Sequence, residues 1–528
     1  MHYHLLVLVH GLWGNKNHFE YINQQIEEYR AKLSSDEQLV IYRTSDNEGY
    51  KTLDGIDVCG LRVAKEIKDQ INLLNGLGDD GDSTGTTKDR VTKFSIVGYS
   101  LGGLISRYAI GILYHQGYFD TIEPVNFTTF VTPHVGVLMP GTNISVRLFN
   151  WLVPNLLSQS GKQMFLKDTS GPRQEPLLSL MANPSSLFYK ALQQFKYRSL
   201  YANAINDKRT SWWTAGISVV DPFMKIDETS RLNNMDFKFV KGYDPIVIDA
   251  NAKFKISNKL VEKGDSPIIQ TSNFWKRKFK WVIVAVNLLL VAPLWVTWFI
   301  ISGLLETYKS HLRIKGTLKD HHGIFASLCD WSETEGLFDS SDADDIDDDA
   351  VSTTGSIKAM EMLDRGIDEK FHDHTDAFME SVFDAISSKD AAESAKYQQY
   401  DIELEGQEND DTASEAVNHV PSTAQDTGLE TDPLIPFVKT SINDMTNLEP
   451  ALNLAENEVV KVFTLGLSQP QVEIIKNLNA LNWQKFPILI RHTTSTHSAA
   501  IVRNKDEKEL YEGKVVIRHW LNEVLRLE

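Results

Sequence analysis

The sequence predicts an α/β fold with a mostly parallel central sheet, and three stretches carry that expectation. The runs His4-Leu5-Leu6-Val7-Leu8-Val9 and Phe94-Ser95-Ile96-Val97 are apolar and rich in branched side chains, as strands buried on both faces are. Each runs directly into glycine-rich turn chemistry, His10-Gly11-Leu12-Trp13-Gly14 after the first and Gly98-Tyr99-Ser100-Leu101-Gly102-Gly103 after the second. Beyond the second turn, Leu101 to Tyr114 has the apolar spacing of a helix.

A serine on so sharp a strand-to-helix turn is forced into a strained backbone conformation. Gly98 and Gly102 flank it because side chains there would collide with the adjoining strand and helix. The hydroxyl is then presented at a helix N-terminus, where the next N–H, that of Leu101, points to where an oxyanion would form. Ser100 is therefore the candidate nucleophile. The glycine loop after the first strand lets backbone amides crowd a carbonyl under attack, and Leu12 is the expected second donor. An ordinary βα turn is the competing reading of that loop.

A serine nucleophile on this turn needs an acid and then a histidine, in that chain order, each on a loop beyond a strand. Lys196 to Ala202 reads as a strand, and Asp207 follows it within Asn203-Ala204-Ile205-Asn206-Asp207. Asp221 and Asp244 also lie near expected strand ends. Phe486 to Arg491 is a further short apolar strand, with His492 abutting it and His497 on the loop beyond.

Four separated motifs, VHGLWG, VGYSLGG with LISRYAIG, ANAINDKRTSWWTAGI and WQKFPILIRHTTSTHSAAIVRN, occur in that order. Together they resemble the fungal "putative serine esterase"/lipase family of α/β-hydrolases, most of all its budding-yeast lipid-droplet phospholipase branch. The resemblance covers about residues 1–250 and 435–528. It implies an α/β-hydrolase core with Ser100, Asp207 and His497 as the catalytic set, with the amides of Leu12 and Leu101 as the oxyanion hole. It favours Asp207 because the acid of the family falls there, and His497 because HSAAIVR places it directly before an apolar run. It also implies a glycerolipid substrate, with phospholipid preferred.

Composition places extra parts around that core. With 528 residues and 42% hydrophobic content, the chain has ample core material. Only Cys59 and Cys329 occur, so no disulfide framework is expected and a reducing compartment suits the chain. The N-terminal residues form a strand rather than a charged and apolar leader, so no secretory signal is expected. The formal charge of −18 is local: residues 330–430 hold 29 acidic and 5 basic residues, a net of −24, leaving the remainder at +6. Residues 330–434 are therefore read as an acidic, largely disordered insertion with one amphipathic helix inside it. Its His372-Asp373-His374-Asp376 cluster reads as a solvated face rather than a metal site, and no metal or organic cofactor is expected.

Residues 281–305 form an apolar run of 25, within the connector 251–329. A hydropathy scan would report a membrane span. A simple crossing would separate His497 from Ser100 and Asp207, however, so the run is expected to return to its side of entry. Pro293 near its middle and basic flanks on both sides agree, since a half-length helix of about 12 residues reaches only about 18 Å. A helix lying in the interface or buried over the site is the other reading. Residues 136–195, rich in Leu, Phe, Met and Pro, read as a lid-like insertion. His115 and Asp120 match a short acyltransferase signature, but a histidine near a helix C-terminus is commonly a cap.

The expected activity is hydrolysis of glycerolipid acyl esters at a lipid-droplet or membrane surface facing the cytosol, with no nucleic-acid partner. A mono- or triacylglycerol lipase is the alternative within enzymes. A non-catalytic lipid-surface adaptor on the same scaffold is the alternative outside them.

Overall fold

The computed structural model describes residues 1–31, 37–76, 89–141, 144–170, 174–207, 209–223, 237–255, 308–314, 439–446, 465–493 and 495–527. Six strands make one fully parallel sheet: β1 (His2–Val9), β2 (Glu37–Arg43), β3 (Arg90–Tyr99), β4 (Glu123–Phe130), β5 (Tyr197–Asn203) and β8 (Gln484–Ile488). Their order across the sheet is β2-β1-β3-β4-β5-β8. A second, antiparallel pair joins β6 (Phe254–Lys255) to β7 (Lys439–Thr440).

The expected alternation of strands and helices holds because the strand residues are buried on both faces. Leu5, Val7 and Val9 of β1 enter one apolar cluster, and Leu6 and Leu8 enter the other. The first cluster is closed by α2 (Ile56–Leu74), α3 (Leu101–His115) and α7 (Leu187–Gln194). The second is closed by α1 (Glu20–Arg30) and the C-terminal helix α12 (Glu512–His519), whose π-helical continuation Trp520–Val524 inserts Trp520 against Phe130. This is the geometry that parallel sheets require, since βαβ crossovers place helices on both faces.

Strand boundaries shift slightly from the sequence reading. β5 runs one residue later than Lys196–Ala202, and β8 ends at Ile488 rather than Arg491. Residues 489–491 instead leave the ladder, with the Leu489 N–H donating to Ile246 O at 2.8 Å. The segment around Ile246–Ile248 thus covers the outer edge of β8, which would otherwise present unpaired backbone groups.

Between β4 and β5 lie α4 (Ile144–Leu156), α5 (Ser158–Met164), α6 (Leu177–Ala182) and α7. Much of this 136–195 region packs as core. Phe165, Leu178 and Phe195 are buried, and Phe188 of α7 lies so close to α3 that a Cβ on Gly111 would fall 2.2 Å from its ring. Only α4 has two apolar faces: Val146, Phe149 and Val153 point inward, whereas Ile144, Leu148 and Trp151 are 86%, 55% and 63% exposed.

The remaining helices are α8 (Trp212–Ala215), α9 (Ile442–Thr446), α10 (Gln469–Asn479) and α11 (Thr496–Ala499). The acidic insertion, its histidine cluster and the apolar run 281–305 lie outside the described residues. Among the described residues, no helix is long and apolar enough to cross a membrane, and no group of residues could hold a metal ion. Both flanks of the apolar run nevertheless attach to the same body. Lys255 pairs with Lys439, while Arg313, in the helical stretch 308–314, donates to Asp54 at 2.9 Å.

Candidate active site

Ser100 occupies the turn between β3 and α3 with φ 55° and ψ −128°, a left-handed conformation that L-residues adopt only under constraint. The constraint is close packing. A Cβ on Gly98 would lie 2.3 Å from Gly103 Cα, and one on Gly102 would lie 2.1 Å from the Val9 carbonyl oxygen. The two flanking glycines therefore let the end of β1, the end of β3 and the start of α3 meet. The Ser100 N–H donates to Phe130 O at 2.9 Å, tying the turn to the end of β4.

The first glycine loop lies beside this serine. A Cβ on Gly11 would fall 2.7 Å from Ser100 Cβ and 3.3 Å from its Oγ, so only glycine lets that backbone approach. Among the described residues, the N–H groups of Leu12 and Leu101 donate to no protein acceptor. Leu101 opens α3, where the first N–H groups have no partner within the helix.

Asp207 and His497 are brought together from 290 residues apart, with Oδ2 2.9 Å from the imidazole Nδ1. Both are buried. Asp207 Oδ1 accepts the N–H groups of Arg209 (3.1 Å) and Thr210 (2.9 Å), and Oδ2 accepts from Asn203 Nδ2 (2.8 Å) and Thr210 Oγ1 (3.0 Å). Burial alone would raise the pKa of this carboxyl. The attraction of the His497 imidazole and the hydrogen bonds outweigh it and hold the group below the ordinary value. With its Nδ1–H given to Asp207, the imidazole keeps the lone pair on Nε2.

The imidazole also faces the serine turn. Tyr99, the residue before Ser100, holds its ring 5.2 Å from that of His497 and donates its hydroxyl to His497 O at 3.3 Å. Thr496 Oγ1 donates to Asn206 O at 2.9 Å and fixes the two loops to each other. An imidazole oriented by a buried carboxylate, with its ring against the residue that precedes a strained serine, has the chemistry of a base that accepts a hydroxyl proton and returns it.

The rival residues are engaged elsewhere. His492 is 58% exposed and binds Glu512 Oε1 through Nδ1 at 2.7 Å. Asp244 is exposed and accepts from the Gly242 N–H, and Asp221 Oδ1 accepts from the Phe223 N–H. His115 is the last residue of α3, about 20 Å from Ser100 at 1.5 Å per residue. Sequence reasoning missed Asn203, Thr210 and Tyr99. The Asp-x-x-Thr spacing at 207–210 was a usable signal, because a carboxylate accepting the N–H groups two and three residues on is ordinary turn chemistry.

A family model described as "Putative serine esterase (DUF676)" matches residues 1–217, which include both glycine loops, Ser100 and Asp207. Residues 1–217 are similar to that family. Over 221 residues the chain is 28% identical to "Putative lipase C4A8.10" of Schizosaccharomyces pombe, covering 41% of this chain and 26% of that protein. Over 251 residues it is 27% identical to "Putative lipase ROG1" of Saccharomyces cerevisiae, covering 47% of this chain and 33% of that protein. The chain thus spans about a quarter to a third of the length of these serine esterase relatives. A solved extracellular α/β-hydrolase of a Paenibacillus species aligns at 15% identity and a TM-score of 0.17, over 28% of this chain and 50% of that one. The fold described above rests on the sheet and its order, not on that alignment.

Proposed function

We propose that the protein is a serine hydrolase that cleaves acyl esters of glycerolipids, with phospholipids as its main substrates, at the cytosol-facing surface of a lipid droplet or membrane. The observation that carries the reading is the His497–Asp207 pair held against the strained Ser100 turn. In this reading Ser100 Oγ attacks the ester carbonyl carbon while its proton passes to His497 Nε2. The carbonyl electron pair moves onto oxygen, where the N–H groups of Leu12 and Leu101 stabilise it. Collapse of that intermediate expels the lysolipid or glycerol alcohol, which takes the proton from His497. Water, deprotonated by the same nitrogen, then releases the fatty acid and restores Ser100. The similarity of residues 1–217 to a serine esterase family supports the reaction class, and the phospholipid preference follows the motif resemblance.

The outer face of α4 supports action at a lipid surface. Ile144, Leu148 and Trp151 recur at helical spacing on one exposed stripe, with Arg147 beside them, as in a helix that lies in a headgroup layer. The common attachment of both flanks of 281–305 favours a run that returns to its side of entry rather than a crossing. In the proposed arrangement the outer face of α4 lies in the lipid layer.

Two measurements test these readings. A fluorophosphonate probe is expected to label wild-type protein at Ser100, and a panel of glycerolipids is expected to show phospholipid turnover above that of triacylglycerol. Absence of labelling would leave the adaptor reading. For the surface, replacing Leu148 and Trp151 together by Ser is expected to weaken binding to phosphatidylserine-containing vesicles by about 100-fold or more, at roughly 1.5 kcal/mol or more per buried side chain. Hydrolysis of a soluble short-chain ester is expected to stay within about 2-fold of wild type, because α4 presents those two side chains to solvent rather than to the core.

A further inference from the structure

We infer that Thr52 is a positioning residue for the oxyanion loop, and that a buried Asp54–Arg62–Arg313 cluster holds Thr52 in place. The inference rests on the esterase reading above, in which the Leu12 N–H is an oxyanion donor.

The Gly11–Gly14 loop has few ways to be held, because three of its residues offer no side-chain anchor to the site. Its conformation depends on two backbone hydrogen bonds that bracket Leu12. Behind Leu12, the Gly11 carbonyl accepts the Gly14 N–H at 3.0 Å and lies 3.1 Å from His10 Nδ1. Across a planar trans peptide the Leu12 N–H must then point away from that carbonyl. Ahead of Leu12, the Trp13 N–H donates to Thr52 Oγ1 at 2.9 Å, and Trp13 sits at φ 53°. That hydroxyl in turn donates to Gly49 O at 2.7 Å, and the Gly49 N–H returns to Gly14 O at 2.9 Å. Thr52 is fully buried, and the hydrogen bonds of its hydroxyl clamp this loop to the 3-10 turn Gly49–Leu53.

The turn is itself held from three directions. Ser160 Oγ of α5 donates to Thr52 O at 2.6 Å and accepts the Gly55 N–H at 3.0 Å. Asp54, fully buried, receives Arg62 Nη2 of α2 at 2.8 Å. It also receives Arg313 Nε at 3.1 Å and Nη2 at 2.9 Å, a two-pronged contact that fixes the carboxylate plane. Arg313 comes from the helical stretch 308–314, so the donor beside Ser100 depends on a segment about 300 residues away in sequence. A buried carboxylate held by two guanidinium groups is rigid, and removing Arg313 would leave Asp54 with Arg62 alone and without the two-pronged contact that fixes its plane. Loss of the Thr52 hydroxyl would instead free the Trp13 N–H and let the Leu12 peptide rotate off the oxyanion.

Thr52→Val keeps the shape and removes the hydroxyl. With the full chain and p-nitrophenyl butyrate, we expect kcat to fall about 10- to 100-fold with KM within about 3-fold, since a small misplacement of a transition-state donor is felt mainly in kcat. Labelling of Ser100 by fluorophosphonate should slow in parallel, and Thr52→Ser should recover most of the rate. Arg313→Gln should lower kcat several-fold with KM unchanged, and it stands in if Thr52→Val does not fold. A Thr52→Val enzyme with wild-type kcat, a loss that Thr52→Ser does not recover, or unchanged kcat in Arg313→Gln would overturn the inference. Failure of wild-type protein to label at Ser100 would instead overturn the esterase reading beneath it.

Discussion

Ser100→Ala is expected to reduce ester hydrolysis by about 10⁴- to 10⁶-fold, the scale on which removal of a triad nucleophile acts. The residual rate would come from the oxyanion donors and substrate binding alone. Folding should survive, because the side chain is small, half-exposed and makes none of the bonds that hold the turn; those belong to its backbone N–H and carbonyl. Ser100→Gly separates strain from chemistry. A non-glycine residue at φ 55° carries roughly 1–3 kcal/mol of conformational cost, so the glycine variant should be equally inactive yet melt at a higher temperature. Turnover of a soluble ester and a thermal melt on the three proteins check both statements. Substantial hydrolysis by the alanine variant would remove Ser100 from the mechanism.

Asp207→Asn is expected to cost about 10⁴-fold in kcat with the fold retained, as when the orienting carboxylate of such a site becomes an amide. The amide reverses the hydrogen bond. Where Oδ2 accepts from His497 Nδ1, an Asn NH₂ facing that nitrogen would donate to it, moving the ring proton to Nε2 and leaving no lone pair for Ser100. The pH dependence of stability should change as well. The native carboxyl of Asp207 is held below its ordinary value, so its contribution is fully present above the unfolded pKa of about 3.9 and disappears as pH falls through the lower native value. The difference in melting temperature between wild type and Asp207→Asn should therefore be constant near neutrality and shrink below about pH 4. A difference that grows on acidification would contradict the sign of the shift.

What the sequence disclosed was whatever is local. The buried runs of β1 and β3 and the glycines around Ser100 are legible because strand burial and turn sterics depend on neighbours in the chain. The choice between His492 and His497 is different in kind. Both follow β8; the motif resemblance favours His497, but the physical difference, Glu512 beside one and Asp207 beside the other, is set by elements far away in the chain. Thr52 and Arg313 were invisible for the same reason, since nothing within ten residues of either marks a role at Gly11–Gly14. The 136–195 insertion reads from its sequence as lid-like, yet much of it packs as core, because composition could not say which of its apolar residues face the core and which, like Trp151, face outward.

The late arrival of β8 has a consequence for how the protein is made. On the ribosome, β1 to β5 emerge with the serine and the aspartate already in place, while the histidine follows 290 residues behind Asp207. At about 5–20 residues per second that interval is roughly 15–60 s. Throughout it the nascent chain carries the candidate site without His497 and a sheet whose β5 edge is still unpaired. Such a chain would be harmless to the membranes around it but exposed to edge-to-edge association, so it would need a chaperone more than an inhibitor. Any product of premature termination before residue 484 would lack both the last core strand and the base. Synthesis of residues 484–497 is thus the step that completes the candidate site.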